Sequence, residues 1–431
     1  MKRINLGIIG FGNVGSGVVK ILREKKAYLT QKIGLEIEVK KICDKDIVSK
    51  RNIAVDKHIL TRDPRQIIDD PQIDIVVELM GGINPAGEFI SEALKRGKNI
   101  VTANKALLAQ KGKELFVLAS DRGKNIYFEA SVGAGIPIIK SLREGLVANK
   151  FKGVMGIVNG TSNFVLSRMS QANCTFKDAL AEAKLKGFAE KDPSLDIQGV
   201  DSAHKLVLLS YLCFGRFVDF KDIFIEGISQ ISQADVNYAG ELGFEIKLLA
   251  IAKKEMDELE VRVHPTLIPR KHLLASVSGV FNAIYVSSDL AGDLLFYGPG
   301  AGQMSAASAV VSDIVDLTQD IKAGLFRPTL NIVEDKSIKK LRRIDDFESR
   351  HYIRFMAVDR PGVLAKISGI LAKFGISIAS VTQKERSRAN FVPIVMITHS
   401  AKEKNLRAAL DMIYRLDVVK EEPVAIRMED L

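Results

Sequence analysis

Short runs of hydrophobic residues alternate with amphipathic stretches through roughly the first 130 residues of the chain. The apolar runs predict β-strands at residues 4–9, 36–43, 73–80, 99–102 and 125–129. The stretches between them have the apolar spacing of helices. Alternating strands and helices are typical of a doubly wound sheet. The pattern therefore predicts an α/β protein that begins with a Rossmann-like doubly wound parallel sheet.

The pattern changes after about residue 133, where longer helical stretches are joined by β-rich runs. The helices are predicted at residues 135–146, 161–169, 176–186 and 201–214, and the strands at residues 259–267 and 276–286. A glycine turn at residues 298–302 then leads into a helix at residues 303–317 that is rich in Ala and Ser. Small residues suit close approach to a cofactor or to a neighbouring helix. We expect an α+β domain here that binds substrate and mediates dimerisation.

The last 80 or so residues have a pattern of their own. Strands are predicted at residues 351–358, 376–384, 391–398 and 424–428, and helices at residues 363–374 and 402–416. The order βαββαβ is that of a ferredoxin-like domain. The basic run at residues 336–343, which precedes it, predicts a solvated linker helix.

These patterns divide the chain into four regions. We predict a doubly wound domain at residues 1–133 that is completed by about residues 301–320, an α+β domain at residues 134–300, a linker at residues 321–349 and a ferredoxin-like domain at residues 350–431.

A glycine fingerprint stands between the first strand and the first helix. Its residues are Gly10, Phe11, Gly12, Asn13, Val14 and Gly15. In such a motif the first glycine forms a tight turn, the second lets the backbone approach a pyrophosphate, and the third allows close packing of helix and strand. The helix N-terminus adds amide donors and a partial positive charge. The context of strand, turn and helix predicts dinucleotide binding.

Asp44 follows the second strand, where an acid would hydrogen-bond the adenosine ribose and favour NAD. Its distance from the fingerprint is longer than usual, and Lys45, Lys50 and Arg51 follow closely. These cations are equally suited to the 2′-phosphate of NADP. The sequence leaves both cofactors open, together with a plain capped turn flanked by solvated lysines.

Four carboxylates and a His-Lys pair fall within residues 186–205. Pro193 forbids a regular helix through this segment, so Glu190 is expected on a loop. Asp201 and Lys205 lie four residues apart on the next predicted helix. Carboxylates and an ammonium that converge can hold a zwitterionic amino acid and move a proton. The alternative for Asp201 and Lys205 is an exposed helix ion pair, and His204 is expected at the helix surface or packed.

Composition excludes several classes of protein. The chain has 431 residues, of which 47% are hydrophobic and 26% charged, so it can bury two or three cores. The 3 cysteines lack metal-ligand spacing, which favours a reducing, cytoplasmic compartment. The first strand begins at once, leaving no room for a signal peptide, and no apolar run reaches the roughly 18 residues of a membrane span. The charge of +10 is dispersed among acids, which argues against nucleic-acid binding.

Six motifs together resemble homoserine dehydrogenase over essentially the first 320 residues. They lie at residues 10–15, 101–105, 129–137, 159–163, 190–205 and 298–302, and they occur in the family's order. The region from about residue 350 resembles an ACT domain, the regulatory module of bacterial forms of that enzyme. The resemblance implies reversible NAD- or NADP-dependent hydride transfer between L-homoserine and L-aspartate 4-semialdehyde, in threonine, methionine and isoleucine biosynthesis. It implies nucleotide binding for the first predicted domain, substrate binding and dimerisation for the second, and regulation for the last.

The resemblance also assigns roles to residues. It implies that Lys205 is the catalytic acid/base and that Lys105 is a second lysine at the nicotinamide and substrate. Substrate contacts are implied for Glu190, Asp196, Asp201, Thr161 and Asn163, although Thr161 and Asn163 would equally suit the cap of the following helix. Further cofactor contacts are implied for Thr102, Lys105 and Gly302. A lysine base near neutrality needs a pKa below about 10.4, and a second ammonium or desolvation would lower it.

The family further implies a monovalent cation, sodium or potassium. Its expected ligands are Glu129 and the backbone carbonyls of Val132, Ala134 and Ile136, with Ala134 standing where glycine is often found. The plain alternative is a Gly-rich turn that leads into a helix with Pro137 near its first turn.

Two rival functions and two partners complete the expectations. Aspartate semialdehyde dehydrogenase needs an activated thiolate, and Cys174 has no histidine near it in sequence. A catalytically silent regulator that binds a nucleotide and an amino acid would not need Lys105 and Lys205. The ACT-like region favours threonine as a feedback effector, with a dimer-stabilising module as the alternative, and it favours a homodimer or homotetramer.

Overall fold

The computed structural model describes residues 3–328, 335–383 and 391–430. Residues 329–334 of the predicted linker and Lys384, the end of one predicted strand, lie outside the described residues. The chain forms two compact units. Unit 1 comprises Met1–Val154, His204–Asp222 and Asn282–Asp335, and unit 2 comprises Met155–Ala203, Ile223–Phe281 and Lys336–Leu431.

Unit 1 is built on a parallel sheet. Its strands are β1 (Arg3–Ile9), β2 (Glu36–Cys43), β3 (Leu60–Thr61), β4 (Ile75–Glu78), β5 (Asn99–Thr102) and β6 (Ile126–Tyr127). They lie in the order β3-β2-β1-β4-β5-β6, and the neighbouring strands pair in parallel. This is the Rossmann order, and it confirms the predicted fold class. Strands β4 and β6 are shorter than the apolar runs that predicted them.

Helices connect these strands and cover the sheet. They are α1 (Asn13–Glu24), α2 (Lys26–Ile33), α3 (Arg65–Ile68), α4 (Ala86–Lys95), α5 (Lys105–Asp121) and α6 (Ile138–Lys140), the last continuing as a π-helical turn at Ser141–Gly145. Buried Leu6, Ile8 and Ile75 on the strands contribute to one core with Val18 and Val19 of α1. Burial of these aliphatic side chains fixes the strand ends from which the fingerprint turn projects.

The middle of the chain alternates helices with long strands. Its elements are β7 (Phe151–Ile157), α7 (Gly160–Ala172), α8 (Phe176–Leu185), α9 (Ser194–Ile197), α10 (Val200–Phe214), β8 (Phe224–Ile225), α11 (Gln233–Glu241), β9 (Phe244–Glu255), β10 (Glu258–Pro269), β11 (Phe281–Ser288), β12 (Asp293–Pro299) and α12 (Gln303–Ala323). Helix α12 belongs to unit 1, where Ala307, Val310 and Ile314 join the core of α1 and the parallel sheet.

The C-terminal elements complete unit 2. They are β13 (Lys340–Leu341), β14 (Glu348–Val358), α13 (Val363–Lys373), β15 (Ile378–Gln383), β16 (Phe391–Thr398), β17 (Ala401–Lys402), α14 (Glu403–Tyr414) and β18 (Val424–Met428). The strands of the βαββαβ module lie in the order β18-β14-β16-β15, with antiparallel neighbours. The predicted ferredoxin-like arrangement is therefore confirmed. Its core contains Ile353 and Phe355 from β14, packed with Ile367 of α13 and Leu406 of α14.

One sheet in unit 2 continues from the middle of the chain into this module. Strands β9 and β10 form an antiparallel hairpin from Glu255↔Glu258 to Phe244↔Pro269. Strand β10 then pairs in parallel with β18, through Thr266↔Arg427 and Leu267↔Met428. Because main-chain hydrogen bonds join the two, the module is attached to the substrate-domain sheet by backbone as well as by side chains.

The predicted linker helix at residues 336–343 is wrong. Strand β13 occupies part of this run and pairs in parallel with β10, Lys340 opposite Glu258. Arg342 is largely buried and donates to Glu258 at 2.7 Å and to Glu255 at 2.8 Å. The acidic edge of β9 and β10 neutralises the basic run and offers backbone partners, so an extended conformation is stabilised over a helix. Among the described residues, no helix is long and apolar enough to cross a membrane.

Candidate active site

The glycine fingerprint forms a tight turn between β1 and α1. Gly10 has φ +105, and a Cβ there would lie 2.5 Å from the carbonyl carbon of Leu79. A Cβ on Gly15 would lie 2.2 Å from the carbonyl oxygen of Gly10. A Cβ on Gly12 would meet nothing within 4 Å. Gly10 and Gly15 are therefore required by the fold, whereas Gly12 leaves open space beside the turn.

The N-termini of α1 and α12 lie side by side. Gly12 caps α1 and Gly302 caps α12, and neither cap has a side-chain hydrogen bond. The Gln303 amide donates to Ser16 Oγ at 3.0 Å, and a Cβ on Gly17 would lie 3.0 Å from that of Ala307. The small residues of α12 thus serve close approach to a neighbouring helix. Two N-termini without side-chain caps concentrate amide donors and positive dipole ends, which suits a pyrophosphate.

Asp44 and Arg51 clamp the fingerprint turn from β2 and the loop after it. Asp44 Oδ2 accepts from the backbone N–H of Phe11 at 2.5 Å, and Arg51 Nε donates to the Phe11 carbonyl at 2.9 Å. Both side chains therefore hold the turn through the backbone of Phe11, independently of whether NAD or NADP binds beside it. Their predicted contact with the ribose or its 2′-phosphate stays a prediction.

Glu78 is a site residue that the sequence reasoning missed. It ends β4 and is fully buried. Its carboxylate accepts from Thr102 Oγ1 at 2.6 Å and from the N–H of Met80 at 2.9 Å. Burial raises the pKa of Glu78, and these hydrogen bonds oppose that rise. Glu78 thereby joins predicted cofactor residue Thr102 to the loop that packs on Gly10, and the only sequence signal was an acid at a strand end.

Both predicted lysines belong to unit 1, as does the fingerprint. Lys105 begins α5, directly after its N-cap Asn104, whose side chain accepts from the N–H of Leu107 at 3.1 Å. Lys205 lies on α10 and is buried, with 7% of its surface exposed. His204 beside it stacks on Phe220 with ring centroids 4.6 Å apart. His204 is thus a packed neighbour, as expected, and Lys205 is not an exposed helix residue.

Asn159 brings two of the predicted substrate carboxylates together. It caps α7, with its Oδ1 accepting from the N–H of Ser162 at 2.8 Å. Its Nδ2 donates to Asp196 at 2.7 Å and to Asp201 at 2.9 Å. Ser162 Oγ also donates to the Asp196 carbonyl at 2.7 Å. The cap of one helix therefore positions two acids from two others, a role that its place in the 159–163 motif did not reveal.

Thr161 and Asn163 do not cap α7, because Asn159 does so and both lie within the helix. Thr161 Oγ1 donates to the Phe188 carbonyl at 2.7 Å, two residues before predicted substrate residue Glu190, which is exposed on the loop between α8 and α9. The Asn163 amide donates to the Phe281 carbonyl at 3.0 Å. Their hydrogen bonds hold loops of unit 2, and their substrate contacts stay predictions.

Lys247 is a second residue that the sequence reasoning missed. It lies on β9 with 3% of its surface exposed, and its ammonium donates to the Val277 carbonyl at 2.6 Å and to Asn163 Oδ1 at 3.4 Å. Burial lowers the pKa of Lys247 to about 8. Lysines with a strongly lowered pKa occur at functional sites and also in purely structural networks. Lys247 ties the loop at Val277 to α7, and its position in a hydrophobic strand gave no warning of this.

The turn after β6 contains the predicted cation ligands. The Glu129 carboxylate accepts from the N–H groups of Ile139 and Lys140, both at 2.8 Å, and burial raises its pKa against these bonds. Ala134 has φ 51, the left-handed conformation that glycine favours. Among the described residues, no hydrogen bond reaches the carbonyl oxygens of Val132 and Ala134, whereas the third predicted carbonyl, that of Ile136, accepts from the N–H of Ile138 at 2.7 Å. Two unpaired carbonyls in a buried turn fit a monovalent cation, whereas the described chain has no cluster of three His, Cys, Asp or Glu residues for a metal.

The turn at residues 298–302 also has a feature that fits a ligand. A Cβ on Gly300 would lie 1.9 Å from the Asn282 amide carbon. Both Asn282 amide atoms are buried and have no hydrogen-bond partner within the described chain. Buried amides are almost always paired with protein, water or ligand. The residues of unit 1 therefore fit a bound dinucleotide, with the fingerprint and the two helix N-termini for its phosphates.

Comparison with known proteins agrees with this architecture. A family model described as "Homoserine dehydrogenase, NAD binding domain" matches residues 10–129, one described as "Homoserine dehydrogenase" matches residues 137–315, and one described as "ACT domain" matches residues 351–415. A homoserine dehydrogenase from Neisseria gonorrhoeae is 42% identical over 434 residues and covers 100% of both chains. The chain belongs to the homoserine dehydrogenase family. It is an oxidoreductase with a nicotinamide-dinucleotide domain and an ACT domain.

Two solved structures extend the comparison. A homoserine dehydrogenase from Thiobacillus denitrificans has a TM-score of 0.92 at 43% identity and covers 100% of this chain and 99% of its own. A hyperthermophilic archaeal homoserine dehydrogenase in complex with NADPH has a TM-score of 0.64 at 29% identity, over 75% of this chain and 100% of its own. The family and fold predictions are confirmed, whereas the domain boundaries and the roles of individual residues stay predictions.

Proposed function

We propose that this homoserine dehydrogenase interconverts L-homoserine and L-aspartate 4-semialdehyde with Lys205 as the acid/base. The observation that carries the proposal is the placement of Lys205. It is buried on α10, four residues after Asp201, and belongs to the same compact unit as Lys105 and the fingerprint. Residues four apart on a helix share a face, so α10 presents an acid and an ammonium together.

In the proposed reaction, homoserine loses one proton and one hydride. When homoserine is oxidised, the amine of Lys205 would accept the proton of the C4 hydroxyl as the C4 hydride is transferred. In the reverse direction Lys205 returns that proton to the aldehyde oxygen. The nicotinamide group, when bound, accepts or supplies the hydride. Lys105 orients the reacting oxygen and adds positive charge where negative charge develops.

The grip on the amino acid is assigned to the acids of unit 2. Asp196 and Asp201, joined by Asn159, provide negative charge for the substrate ammonium, and Glu190 adds a third carboxylate from its exposed loop. Thr161 and Asn163 support the loops around them. We also propose sodium or potassium at Glu129, Val132, Ala134 and Ile136. Its charge would stabilise the turn in which Ala134 adopts the left-handed conformation.

NADP is the proposed cofactor, with NAD as the alternative. The support is Arg51, which lies at the fingerprint turn through its bond to the Phe11 carbonyl, together with the archaeal relative whose structure contains NADPH. An arginine at this edge suits a 2′-phosphate. Initial rates with NADPH and NADH under matched conditions decide between them.

The rival thiolate chemistry has no support among the cysteines. Burial raises the pKa of Cys43 to about 11 and raises the pKa of Cys213 as well, which keeps both thiols protonated near neutrality. Cys174 is half-buried and its Sγ contacts the Arg168 carbonyl at 3.6 Å. Aspartate semialdehyde dehydrogenase would lose activity outright after thiol alkylation, whereas the proposed enzyme keeps it.

The test of the proposal is Lys205→Ala. We expect kcat for homoserine oxidation to fall by about 10²- to 10⁴-fold, the usual contribution of a general acid/base. NADPH binding, followed by fluorescence, should change little. Lys177→Ala, which removes an exposed lysine from α8, is the matched control and should keep its kcat. Activity of the Lys205 variant within twofold of the parent would remove Lys205 from the mechanism, and a parent with no turnover would favour a silent regulator.

We place the reaction in threonine, methionine and isoleucine biosynthesis, in the cytoplasm, with threonine as the feedback effector at the ACT domain. We also propose a homodimer or homotetramer. The support is β15, which pairs with β16 on one side and, among the described residues, ends the sheet with Val381 exposed. A half-paired strand with an exposed valine suits pairing with a second copy.

A further inference from the structure

The segment after β8 contacts the backbone next to Asp196. The N–H of Ile228 donates to the carbonyl of Ile197, one residue after Asp196, at 2.9 Å. A Cβ on Gly227 would lie 2.6 Å from that same carbonyl oxygen, so the two backbones are in direct contact. Residues 227–228 therefore fix the position of the Ile197 carbonyl.

Glu226 holds this supporting segment in place. Its N–H donates to the Val263 carbonyl of β10 at 2.8 Å. Its carboxylate accepts from Arg427 of β18 at 2.8 Å. Glu226 thus precedes the two residues that contact the Ile197 carbonyl at the end of α9, and it is itself held by β10 of the substrate domain and β18 of the C-terminal module.

Arg427 connects Glu226 to the interior of the module. With 5% of its surface exposed, it also donates to Glu403 of α14 at 3.0 Å, and Glu403 accepts from His351 of β14 at 3.2 Å. Although burial raises the pKa of Glu403, the hydrogen bonds of His351 and Arg427 bring it down to about 2. Glu403 is therefore charged at neutral pH, and a buried pair of opposite charges is costly to separate.

These contacts form one continuous set within unit 2. Arg427 of β18 bridges the carboxylates of Glu226 and Glu403. Glu226 leads directly into residues 227–228, which contact the Ile197 carbonyl. Asp196 precedes Ile197 in the chain and shares the side-chain amide of Asn159 with Asp201.

We propose that Glu226 is a positioning residue through which the C-terminal module adjusts the substrate carboxylates Asp196 and Asp201. The proposal rests on the proposed function in one respect, the assignment of those carboxylates to the amino acid. The physical connection consists of the ion pair between Arg427 and Glu226, followed by the contact of residues 227–228 with the Ile197 carbonyl.

The first test is Glu226→Gln, which removes the charge and keeps the shape. We expect KM for homoserine to rise by about 3- to 10-fold, which corresponds to about 0.7 to 1.4 kcal/mol of weaker binding. The KM for NADPH and kcat should stay within twofold, because Glu226 is bonded to Val263 and Arg427 of unit 2 and is assigned no part in cofactor binding or proton transfer. Inhibition by L-threonine, measured on the same samples, should weaken in parallel.

The matched control is Arg350→Gln. Arg350 and Asp430 form an ion pair at 3.0 Å between β14 and the chain after β18, so the control removes a charge pair from the same module without touching Glu226. It should leave KM for homoserine unchanged. Equal rises in KM for the two variants would show a general loss of module stability and overturn the proposal, as would an unchanged KM for Glu226→Gln together with unaltered hydrogen exchange at residues 196–201.

Hydrogen exchange supplies a readout that does not need activity. Glu226→Gln should speed backbone exchange at residues 196–201 and leave the fingerprint turn as in the parent. Faster exchange there without a change in any KM would sustain the connection and count against Asp196 and Asp201 as substrate ligands, which is a failure of the proposed function. Unaltered exchange at residues 196–201 would overturn the connection itself.

Discussion

Single polar side chains at this site hold several elements at once. Asn159 caps α7 and also hydrogen-bonds Asp196 and Asp201, and Glu78 collects the hydroxyl of Thr102 and the amides of the next loop. The sequence predicted the acids but not the amide that joins them. An asparagine at a helix start has a sufficient local reason to be there, so its second and third hydrogen bonds leave no trace in the spacing of residues.

Lys247 provides a prediction about pH at the same scale. Burial lowers its pKa to about 8 in the folded protein, whereas an unfolded lysine titrates near 10.4. Between these values the unfolded chain binds more protons, so the free energy of unfolding rises with pH. We expect Lys247 to add up to about 3 kcal/mol to stability between pH 8 and pH 10.5, a gain absent below pH 8.

Denaturant unfolding of Lys247→Met and of the parent at pH 7, 8, 9 and 10 measures this. Above pH 8 the free energy of unfolding of the parent should rise steadily relative to that of Lys247→Met. Lys177→Met, an exposed lysine of α8, is the control and should track the parent at every pH. Parallel curves for Lys247→Met and the parent would show that Lys247 stays protonated in the fold.

At the scale of elements, the unit of β1, turn and α1 was predictable because its reasons are local. An apolar strand, glycines at fixed offsets and an amphipathic helix specify it without reference to the rest of the chain. The predicted linker helix failed for the opposite reason. Lys340 and Arg342 look solvated in sequence, yet they lie against the acidic edge of β9 and β10, which is more than 80 residues away along the chain.

The fingerprint turn yields a paired prediction. Gly12→Ala should fold normally, since a Cβ there meets nothing within 4 Å, but it should weaken NADPH binding by at least about tenfold, because the methyl group occupies the approach of the pyrophosphate. Gly10→Ala should lower the melting temperature, since φ is +105 and a Cβ would lie 2.5 Å from the Leu79 carbonyl carbon.

Calorimetry of both variants, with and without NADPH, separates the two effects. The prediction is met if Gly12→Ala has the melting temperature of the parent but that temperature no longer rises when NADPH is added. A full NADPH shift in Gly12→Ala would mean that the nucleotide phosphates lie elsewhere.

For the whole molecule, the decisive feature is that β18 of the C-terminal module pairs with β10 of the substrate domain. A module joined by main-chain hydrogen bonds and by the Arg427 and Glu226 pair can act on the sheet that it extends. The proposed regulation by the C-terminal module depends on this connection to the substrate domain.

We therefore predict that L-threonine lowers the initial rate of homoserine oxidation in the full-length protein. D-threonine, with the same composition and the opposite chirality, is the control and should have little effect. The rate is measured at a homoserine concentration near KM, where a change in substrate affinity is most visible. Equal responses to the two enantiomers, or none to either, would leave the ACT domain without threonine as its effector.

The amino-acid order was sufficient for the parallel sheet, the ferredoxin-like module, the family and the candidate lysines and acids, because each depends on residues close together in the chain or on motifs of constant spacing. Three-dimensional packing alone established that Asn159 links Asp196 to Asp201, that Lys247 is buried against a carbonyl, and that Glu226 meets Arg427. Those contacts join residues up to 201 positions apart. The spacing of residues along the chain does not predict contacts between such distant residues, because the partners become neighbours only when the hydrophobic cores have formed.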